Sequence, residues 1–383
     1  MPIKHIVVLV LTLSCTACGL FEKPLSGFTL PIPQSATLNY PELLDPTESL
    51  ARKTLVDRMA DKRVLFIGEV HDSISHHQNQ LLVIQDMFAR YPDMAIGVEY
   101  FQQPFQRHLD DYIAGRINEK EMLRRTEYYE RWKVDYRMVR PIFEFAREKR
   151  IPILALNVSE EIHNKVFKSG LKSLTSEERT EIPAEIKPAN PNYKQRLQSI
   201  FNTHPKADNF KYFVDGVLLW DEAMADITVR HLQKHPQSRV VVLAGLVHIL
   251  YGDGIPERVD RRLAGNPSVI AVNGADYSQF ANTAAYALTT RASEKLANTG
   301  KLGVTLTDDT EGSVHVSEFS ASSPAEVAGL RLGDRIVSLD GEQVVSVAEL
   351  KALMLDKKPS EKVQVVVQRK SLNKELQFLV QLN

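Results

Sequence analysis

VLFIGEVHD, residues 64–72, is the stretch of this chain that decides its fold. Four apolar residues form a run typical of a buried strand, and a glycine then turns the backbone beside Glu69 and His71. The same order returns in residues 240–248, VVVLAGLVH, which end at His248. Ligands of open parallel sheets bind at the carboxyl ends of the strands, so this pattern predicts both a strand and a site.

Short β-branched runs alternate with amphipathic helical patterns from residue 63 onward, which is typical of βαβ units. Strands are predicted at residues 64–67, 95–98, 153–156, 240–243 and 269–272. Helices are predicted at residues 77–90, 139–149 and 221–235, with a helical insertion or lid, rich in proline and lysine, at residues 168–210. We therefore expect an α/β domain at residues 46–292, with a mostly parallel sheet flanked by helices.

The length and composition indicate a folded protein of more than one domain. A chain of 383 residues exceeds the size at which single cores stop growing. Its hydrophobic residues make up 43%, its charged residues 25%, and its formal net charge is −1. This balance is untypical of disordered chains and of proteins that bind polyanions, so we expect no nucleic-acid partner.

The first residues follow the layout of a bacterial export signal. Lys4 precedes the apolar run 6–13, which ends in small residues and two cysteines, Cys15 and Cys18. The placement resembles a lipobox, with Cys18 as the preferred lipidation site and Cys15 as the alternative. We expect a signal peptide at residues 1–17, a tether at residues 18–45, and a lipid anchor in the outer membrane facing the periplasm.

The composition changes after residue 290, and residues 300–383 follow a different rhythm. Short strands and turn glycines occur in an order that resembles a PDZ domain, a small β-rich module with two helices. PDZ domains hold the carboxylate of a peptide C-terminus with backbone N–H groups of a loop. The matching loop here is Leu302, Gly303 and Val304.

Polar residues follow several predicted strands, and the sheet should bring them to one edge. These are Glu69, His71, Glu99, Asn157 and His248. Glu69, His71 and His248 form a sensible set of ligands for a divalent metal, and the whole group equally suits the polar rim of a larger cofactor.

Simpler roles remain open for each of these residues. A single histidine after a strand is often only a hydrogen-bonded structural residue. Glu69 could instead cap the following helix, whose start near Ser73 carries residues that favour N-caps. Asp221 opens the predicted helix 221–235 and could be its cap.

Several motifs resemble the ChaN-like haem-binding uptake family of the Tiki superfamily over residues 50–289. They are GEVHD at 68–72, GVE at 97–99, WDEAMA at 220–225, AGLVH at 244–248 and YGDGIP at 251–256. The resemblance implies a lipoprotein that binds haem for iron uptake, with tyrosine ligation of the iron as a theme of the family. Tyr100 and Tyr251 are the tyrosines nearest to the motifs, and we expect Tyr100, Tyr251 or His248 to bind the iron. The cofactor-binding residues expected on this basis are Glu69, His71, Glu99, Tyr100, Asn157, Asp221, His248 and Tyr251.

Two other functions stay open beside haem binding. One is a metal-dependent hydrolase, in which His71, His248 and Glu69 hold the ion and Glu99 is the general base. The other is an envelope adaptor without activity that holds a partner through the PDZ groove. A homodimer is compatible with all three.

Overall fold

The structure is a computed structural model that describes residues 41–203, 207–265, 267–274, 283–290, 295–309, 313–372 and 374–383. The expected signal peptide, Cys15 and Cys18 lie outside these ranges. Among the described helices, none combines the length and the apolar character that a membrane span requires.

The first domain is built on a parallel sheet of seven strands in the described residues. They are β1 (Glu42–Leu44), β2 (Val64–Glu69), β3 (Met94–Gln102), β4 (Ile153–Asn157), β5 (Arg239–Gly245), β6 (Ser268–Asn273) and β7 (Tyr286–Leu288). Their order across the sheet is β1-β7-β6-β2-β5-β3-β4, and every pairing is parallel. The predicted α/β fold is confirmed, and each of the five predicted strands lies within an observed strand.

Helices cover both faces of this sheet. In chain order they are α1 (Ser49–Asp57), α2 (Ile74–Arg90), α3 (Gln106–Ile113), α4 (Glu119–Arg125), α5 (Tyr128–Arg131), α6 (Arg140–Lys149), α7 (Glu160–Ser169), α8 (Ser176–Thr180), α9 (Pro191–Thr203), α10 (Phe210–Lys234), α11 (Leu246–Ile249) and α12 (Ile255–Arg262). Leu65 and Ile67 pack into one layer with α1, α2 and α6, whereas Val64 and Phe66 pack into the other with α7, α10 and α12. Successive strand residues point to opposite faces, so a continuous apolar run is what two covered faces require.

Two sequence-based boundaries need correction. The tether was expected to continue to residue 45, but Glu42–Leu44 pairs with Tyr286–Leu288 at the edge of the sheet. Asp221 does not open a helix, because α10 already begins at Phe210. The middle of α10 packs against the sheet on one side and against α9 on the other. Its sequence is therefore apolar on almost all sides, and the amphipathic pattern that would locate the start of the helix is missing.

The C-terminal domain is an antiparallel sheet with two helices. Its strands are β8 (Val304–Asp308), β9 (Val314–Phe319), β10 (Arg335–Leu339), β11 (Glu342–Gln343), β12 (Lys362–Arg369) and β13 (Lys374–Gln381). Its helices are α13 (Pro324–Ala328) and α14 (Val347–Met354). The strand order β13-β12-β10-β9-β8 leaves β8 at an edge, as the predicted PDZ arrangement requires.

Candidate functional site

The strand order brings the two Gly-x-x-His motifs together. β2 and β5 are neighbours, and Glu69 at the end of β2 is in register with Gly245 at the end of β5. β3 lies on the other side of β5 and carries Glu99 beyond the paired segment. His71 and His248 therefore follow adjacent strand ends, with Glu99 between them, as the sequence predicts.

A buried carboxylate orients the imidazole of His71. Nδ1 of His71 lies 2.9 Å from Oε1 of Glu69. A carboxylate only accepts hydrogen bonds, so Nδ1 carries the proton and donates it. Nε2 of His71 then faces Glu99, whose Oε2 lies 4.0 Å away. The side chain of His71 retains 16% of its exposure, while that of Glu69 has none.

Glu69 lies behind His71 and is fully committed to its neighbours. Its Oε2 accepts hydrogen bonds from Tyr100 Oη at 2.5 Å and from Gln80 Nε2 at 2.6 Å. Burial alone would raise the pKa of Glu69, but the charges of His77 and His71 and the hydrogen bonds from His71 and Tyr100 lower it to about 2. Glu69 is thus a permanent anion that fixes one tautomer of His71.

His248 has the same kind of support from a different element. Its Nδ1 lies 2.7 Å from Oδ1 of Asp221, on α10, so this nitrogen donates to a carboxylate as well. The other oxygen of Asp221 accepts a hydrogen bond from Tyr193 Oη at 2.8 Å. Tyr193 lies on α9, in the insertion that the sequence suggested as a lid. Both carboxylate oxygens of the buried Asp221 therefore accept a hydrogen bond from a side chain, and Asp221 does not cap a helix.

Glu99 occupies the space between the two imidazoles. Its Oε2 accepts the backbone N–H of Gly245 at 2.7 Å, and its Oε1 lies 3.6 Å from Nε2 of His248. Burial by itself lowers the pKa of His71 and of His248. The negative charge of Glu99 and the carboxylate behind each ring outweigh burial and raise both pKa values above the usual 6.5. Together these five side chains form what we call the His71 array, in the spatial order Glu69, His71, Glu99, His248 and Asp221.

The expected metal set is not formed. Glu69 uses its oxygens for Tyr100, Gln80 and the Nδ1 side of His71, and so it lies away from the Nε2 atoms. Within the residues that the structure describes, no group of three or more His, Cys, Asp or Glu is arranged to hold a metal ion. The alternative role of Glu69 as a helix cap is also wrong, because α2 begins at Ile74 after Ser73 and receives no side-chain cap.

Two other expected site residues, Tyr100 and Asn157, have supporting roles. Tyr100 is buried and donates to Glu69, and burial together with that carboxylate raises its pKa well above the usual 10. A tyrosinate ligand at this position is therefore disfavoured. Asn157 Oδ1 accepts the N–H of Val158, and its Nδ2 lies 3.4 Å from the carbonyl of Glu99. Asn157 thus supports the backbone around the rim.

Tyr251 is not brought to the array. Its ring lies under the guanidinium of Arg196, 4.0 Å from the ring centroid, and it lines a separate surface pocket beside Ser268 and Thr283. A left-handed backbone at Tyr251, with φ of 65°, turns the chain away from the strand end.

The sequence missed two residues that complete the site. Trp132, just after α5, packs edge-on against His71 at 4.8 Å between ring centroids. Tyr193 anchors Asp221 from the insertion. Neither follows a strand or a recognisable motif, so only the tertiary structure could reveal them. His77, in the first turn of α2, also contacts the site, since its Nε2 faces the carbonyl of His71 at 2.9 Å.

The loop that the sequence predicts to hold a peptide carboxylate leads directly into β8. Gly303 has φ of 71°, a left-handed conformation that glycine adopts without strain. Its carbonyl accepts the N–H of Ser320. Over the described chain, the N–H groups of Leu302 and Gly303 have no acceptor. The adjoining β8 pairs with β9 on one side, and its other side is open among the described strands.

Comparison with known proteins agrees with this architecture. A solved structure titled "Cofacial heme binding to ChaN of Campylobacter jejuni" superposes with a TM-score of 0.52 at 17% identity, covering 68% of this chain and all of that one. This likeness shows the fold. Tax1-binding protein 3 of Homo sapiens and of Mus musculus are each 37% identical over 71 residues, 18% of this chain. The chain spans 57% of the length of these curated relatives.

Two family models account for most of the chain. The PDZ domain matches residues 300–380, in agreement with the antiparallel sheet and its open edge strand. The model described as "Haem-binding uptake, Tiki superfamily, ChaN" matches residues 55–259, the segment that builds the parallel sheet and the His71 array. The chain therefore belongs to the ChaN haem-binding uptake family of the Tiki superfamily and carries a C-terminal PDZ domain.

Proposed function

We propose that this protein binds haem at the strand-end rim, with the imidazole of His71 as the iron ligand. The observation that carries the proposal is the Glu69–His71 hydrogen bond of 2.9 Å. It leaves Nε2 of His71 with no hydrogen-bond partner among the described residues, on a side chain that reaches solvent. An imidazole whose Nδ1–H is held by a carboxylate is a familiar donor to haem iron.

Family membership and the donor set support haem together. The ChaN structure is reported to bind haem, and its fold is shared over the parallel sheet. His71 would hold the haem iron through its Nε2. Tyr100 is poorly suited to that role, because its hydroxyl donates a hydrogen bond to Glu69. When bound, haem would supply a redox-active iron, and this chain's residues would orient His71 and exclude water from its Nδ1 side.

A hemin titration tests the proposal. We expect a Soret band that saturates at a fixed stoichiometry and that shifts or weakens in His71→Ala. His235→Ala is the matched control. His235 is exposed just after α10, beside the N-terminal ends of the strands, whereas the candidate site lies at their C-terminal ends. Identical spectra and affinities for the wild type and His71→Ala would reject His71 as the ligand.

The first residues support a proposal about the cellular setting. We propose an exported lipoprotein, lipidated at Cys18, anchored in the outer membrane facing the periplasm and serving haem or iron uptake. The apolar run at residues 6–13 and the small residues before Cys18 support this. Metabolic labelling with a radioactive fatty acid should mark the wild type and Cys15→Ser, but not Cys18→Ser.

We also propose that the PDZ domain binds a peptide C-terminus. The open side of β8 supports this role, as do the N–H groups of Leu302 and Gly303, which have no acceptor among the described residues. Peptides with a free carboxylate should bind, and the same peptides ending in an amide should not. Equal binding of both forms would contradict it.

One specific observation favours a second candidate, an ester hydrolase that uses acid–base chemistry. Two imidazoles, each held at Nδ1 by a carboxylate, direct their Nε2 atoms toward the same Glu99. One imidazole would take a proton from water as it attacks the ester carbonyl, and the other would donate a proton to the leaving alkoxide.

Hydrolysis of p-nitrophenyl butyrate tests this second candidate. His248→Asn keeps a polar side chain with an N–H donor but loses the base, so the rate should fall about a hundredfold or more. The control variant His235→Asn lies at the N-terminal ends of the strands, away from the site, and should keep the rate. No turnover above buffer by the wild type would remove this candidate for such esters.

A further inference from the structure

The helix α14 of the PDZ domain packs on two sides. Leu350 and Leu353 point into the core of the PDZ domain. Ala348, Ala352 and Leu355 instead join the apolar cluster of the first domain, and each is less than 10% exposed. The PDZ domain is therefore docked on the first domain through the helix that also forms a wall of its peptide groove.

Polar contacts reinforce this docking at both ends of α14. Arg140 reaches Asp356 with Nη1 at 2.6 Å from Oδ1, and Ser346 donates to Glu130 at 3.1 Å. Arg137 donates to the carbonyl of Ala297 at 2.7 Å, just before the carboxylate loop. These contacts join the first domain to both ends of α14 and to the loop that follows residue 296.

The peptide groove consequently has a wall from the first domain. It is a cleft of about 830 Å³. The PDZ domain lines it with β8, the loop at residues 300–303 and α14, and the first domain adds Tyr129, Lys133, Asp135 and Arg137.

The unpaired charges of this groove are mostly positive. Lys133 and Lys351 are exposed and form no ion pair within the described chain, and Lys301 lines the same cleft. Asp135 is neutralised by Arg137 at 2.5 Å, which leaves Glu318 as the other acidic side chain among the described residues that line the cleft. An acidic ligand would gain from these cations, whereas a basic one would be repelled.

Lys133 is held in place by its neighbour. The preceding residue, Trp132, is 6% exposed and packs against His71, while Lys133 has φ of 62° and turns out toward the groove. A left-handed lysine persists only where packing determines it. The cation is thereby presented from a fixed backbone rather than from a free loop.

We propose that the two domains form one composite groove for an acidic peptide C-terminus, in which Lys133 of the first domain forms ion pairs with acidic residues upstream of the carboxylate. This inference rests on the proposed peptide binding by the PDZ domain. It is independent of haem, because none of the groove residues belongs to the His71 array.

Fluorescence anisotropy with designed peptides tests the composite groove on the full chain. The probe is a fluorescein-labelled decapeptide with a free C-terminal valine and three upstream glutamates, compared with the same peptide carrying glutamines. We expect the glutamate peptide to bind more tightly. Lys133→Met should weaken it roughly threefold at low salt, an effect that salt diminishes, and leave the glutamine peptide unaffected.

Lys168→Met is the matched control, since Lys168 is exposed on α7 and lies outside the groove. It should leave both peptides unaffected, and Lys351→Met should reproduce the effect of Lys133→Met. Equal affinity for the two peptides, or an unchanged Lys133→Met, would overturn the composite groove while peptide binding itself stands. Failure of both free-carboxylate peptides to bind would overturn peptide binding and the composite groove together.

Discussion

The indole of Trp132 packs edge-on against the imidazole of His71, with 4.8 Å between ring centroids and 72° between ring planes. The same indole lies 5.4 Å from the ring of Tyr100. One aromatic side chain thus covers both the candidate ligand and the residue that helps to fix its carboxylate. It belongs to the segment that continues into the PDZ groove.

Replacing this indole should loosen the site and the domain around it. Trp132→Ala removes a buried aromatic ring, so the free energy of unfolding should fall by about 3–5 kcal/mol. Trp132→Phe keeps an edge-on ring and should lose much less. Urea unfolding followed by circular dichroism measures both, and a Trp132→Ala variant as stable as the wild type would show that the indole carries no packing role.

The orienting carboxylate should matter to ligand affinity more than to fold. In Glu69→Gln the amide can no longer serve as an anionic acceptor for His71 Nδ1–H, so hemin affinity should drop about ten- to a hundredfold. Hemin titration measures this, with thermal unfolding as the check that the variant is folded. A folded Glu69→Gln with full hemin affinity would contradict the role given to Glu69.

Tyr100 should be a positioning residue and not an iron ligand. Tyr100→Phe removes only the hydroxyl that donates to Glu69, so the Soret maximum of the hemin complex should stay in place. The free energy of unfolding of Tyr100→Phe should be about 1–3 kcal/mol lower than that of the wild type, because Glu69 loses a hydrogen-bond donor in the buried cluster. A shifted Soret maximum in Tyr100→Phe would reassign the ligand to tyrosine.

Acid should destabilise the protein in part through His163. Burial and the charge of His248 lower the pKa of His163 to about 3, from a usual 6.5. The unfolded chain therefore takes up this proton more readily, and stability falls as the pH drops below about 6.5 toward 3. From pH 7 to pH 5 this one group should remove about 2 kcal/mol.

His163→Phe isolates that contribution. Phenylalanine can keep the stacking on Trp220, which is 3.8 Å between ring centroids in the native pair, but it does not titrate. Its loss of stability between pH 7 and pH 5 should be smaller than that of the wild type by about 2 kcal/mol. His235→Phe, at an exposed position, is the control; equal acid sensitivity of His163→Phe and the wild type would refute the assignment.

The sequence predicts the parallel sheet and the meeting of His71 with His248 because both depend on local patterns. An apolar run, a glycine and a histidine identify a strand end, and parallel strands place such ends on one edge. Glu99 follows the same logic after its own strand. The PDZ domain is predicted for a similar reason, since its turn glycines recur in a fixed order.

What the sequence could not predict depends on contacts between distant segments. The proximity of Tyr251 to His248 in the chain suggested a shared site, but the backbone turn at Tyr251 carries its ring to Arg196. Which way the carboxylate of Glu69 faces is set by Gln80 and Tyr100, and no spacing reveals that.

The central claim, that the imidazole of His71 holds haem iron, is tested most directly by restoring the ligand from solution. His71→Gly removes the ring and leaves space for free imidazole beside Glu69. We predict that the hemin complex of His71→Gly has an altered Soret band and that added imidazole returns it to the wild-type spectrum. A wild-type spectrum in His71→Gly before any imidazole is added would contradict the claim.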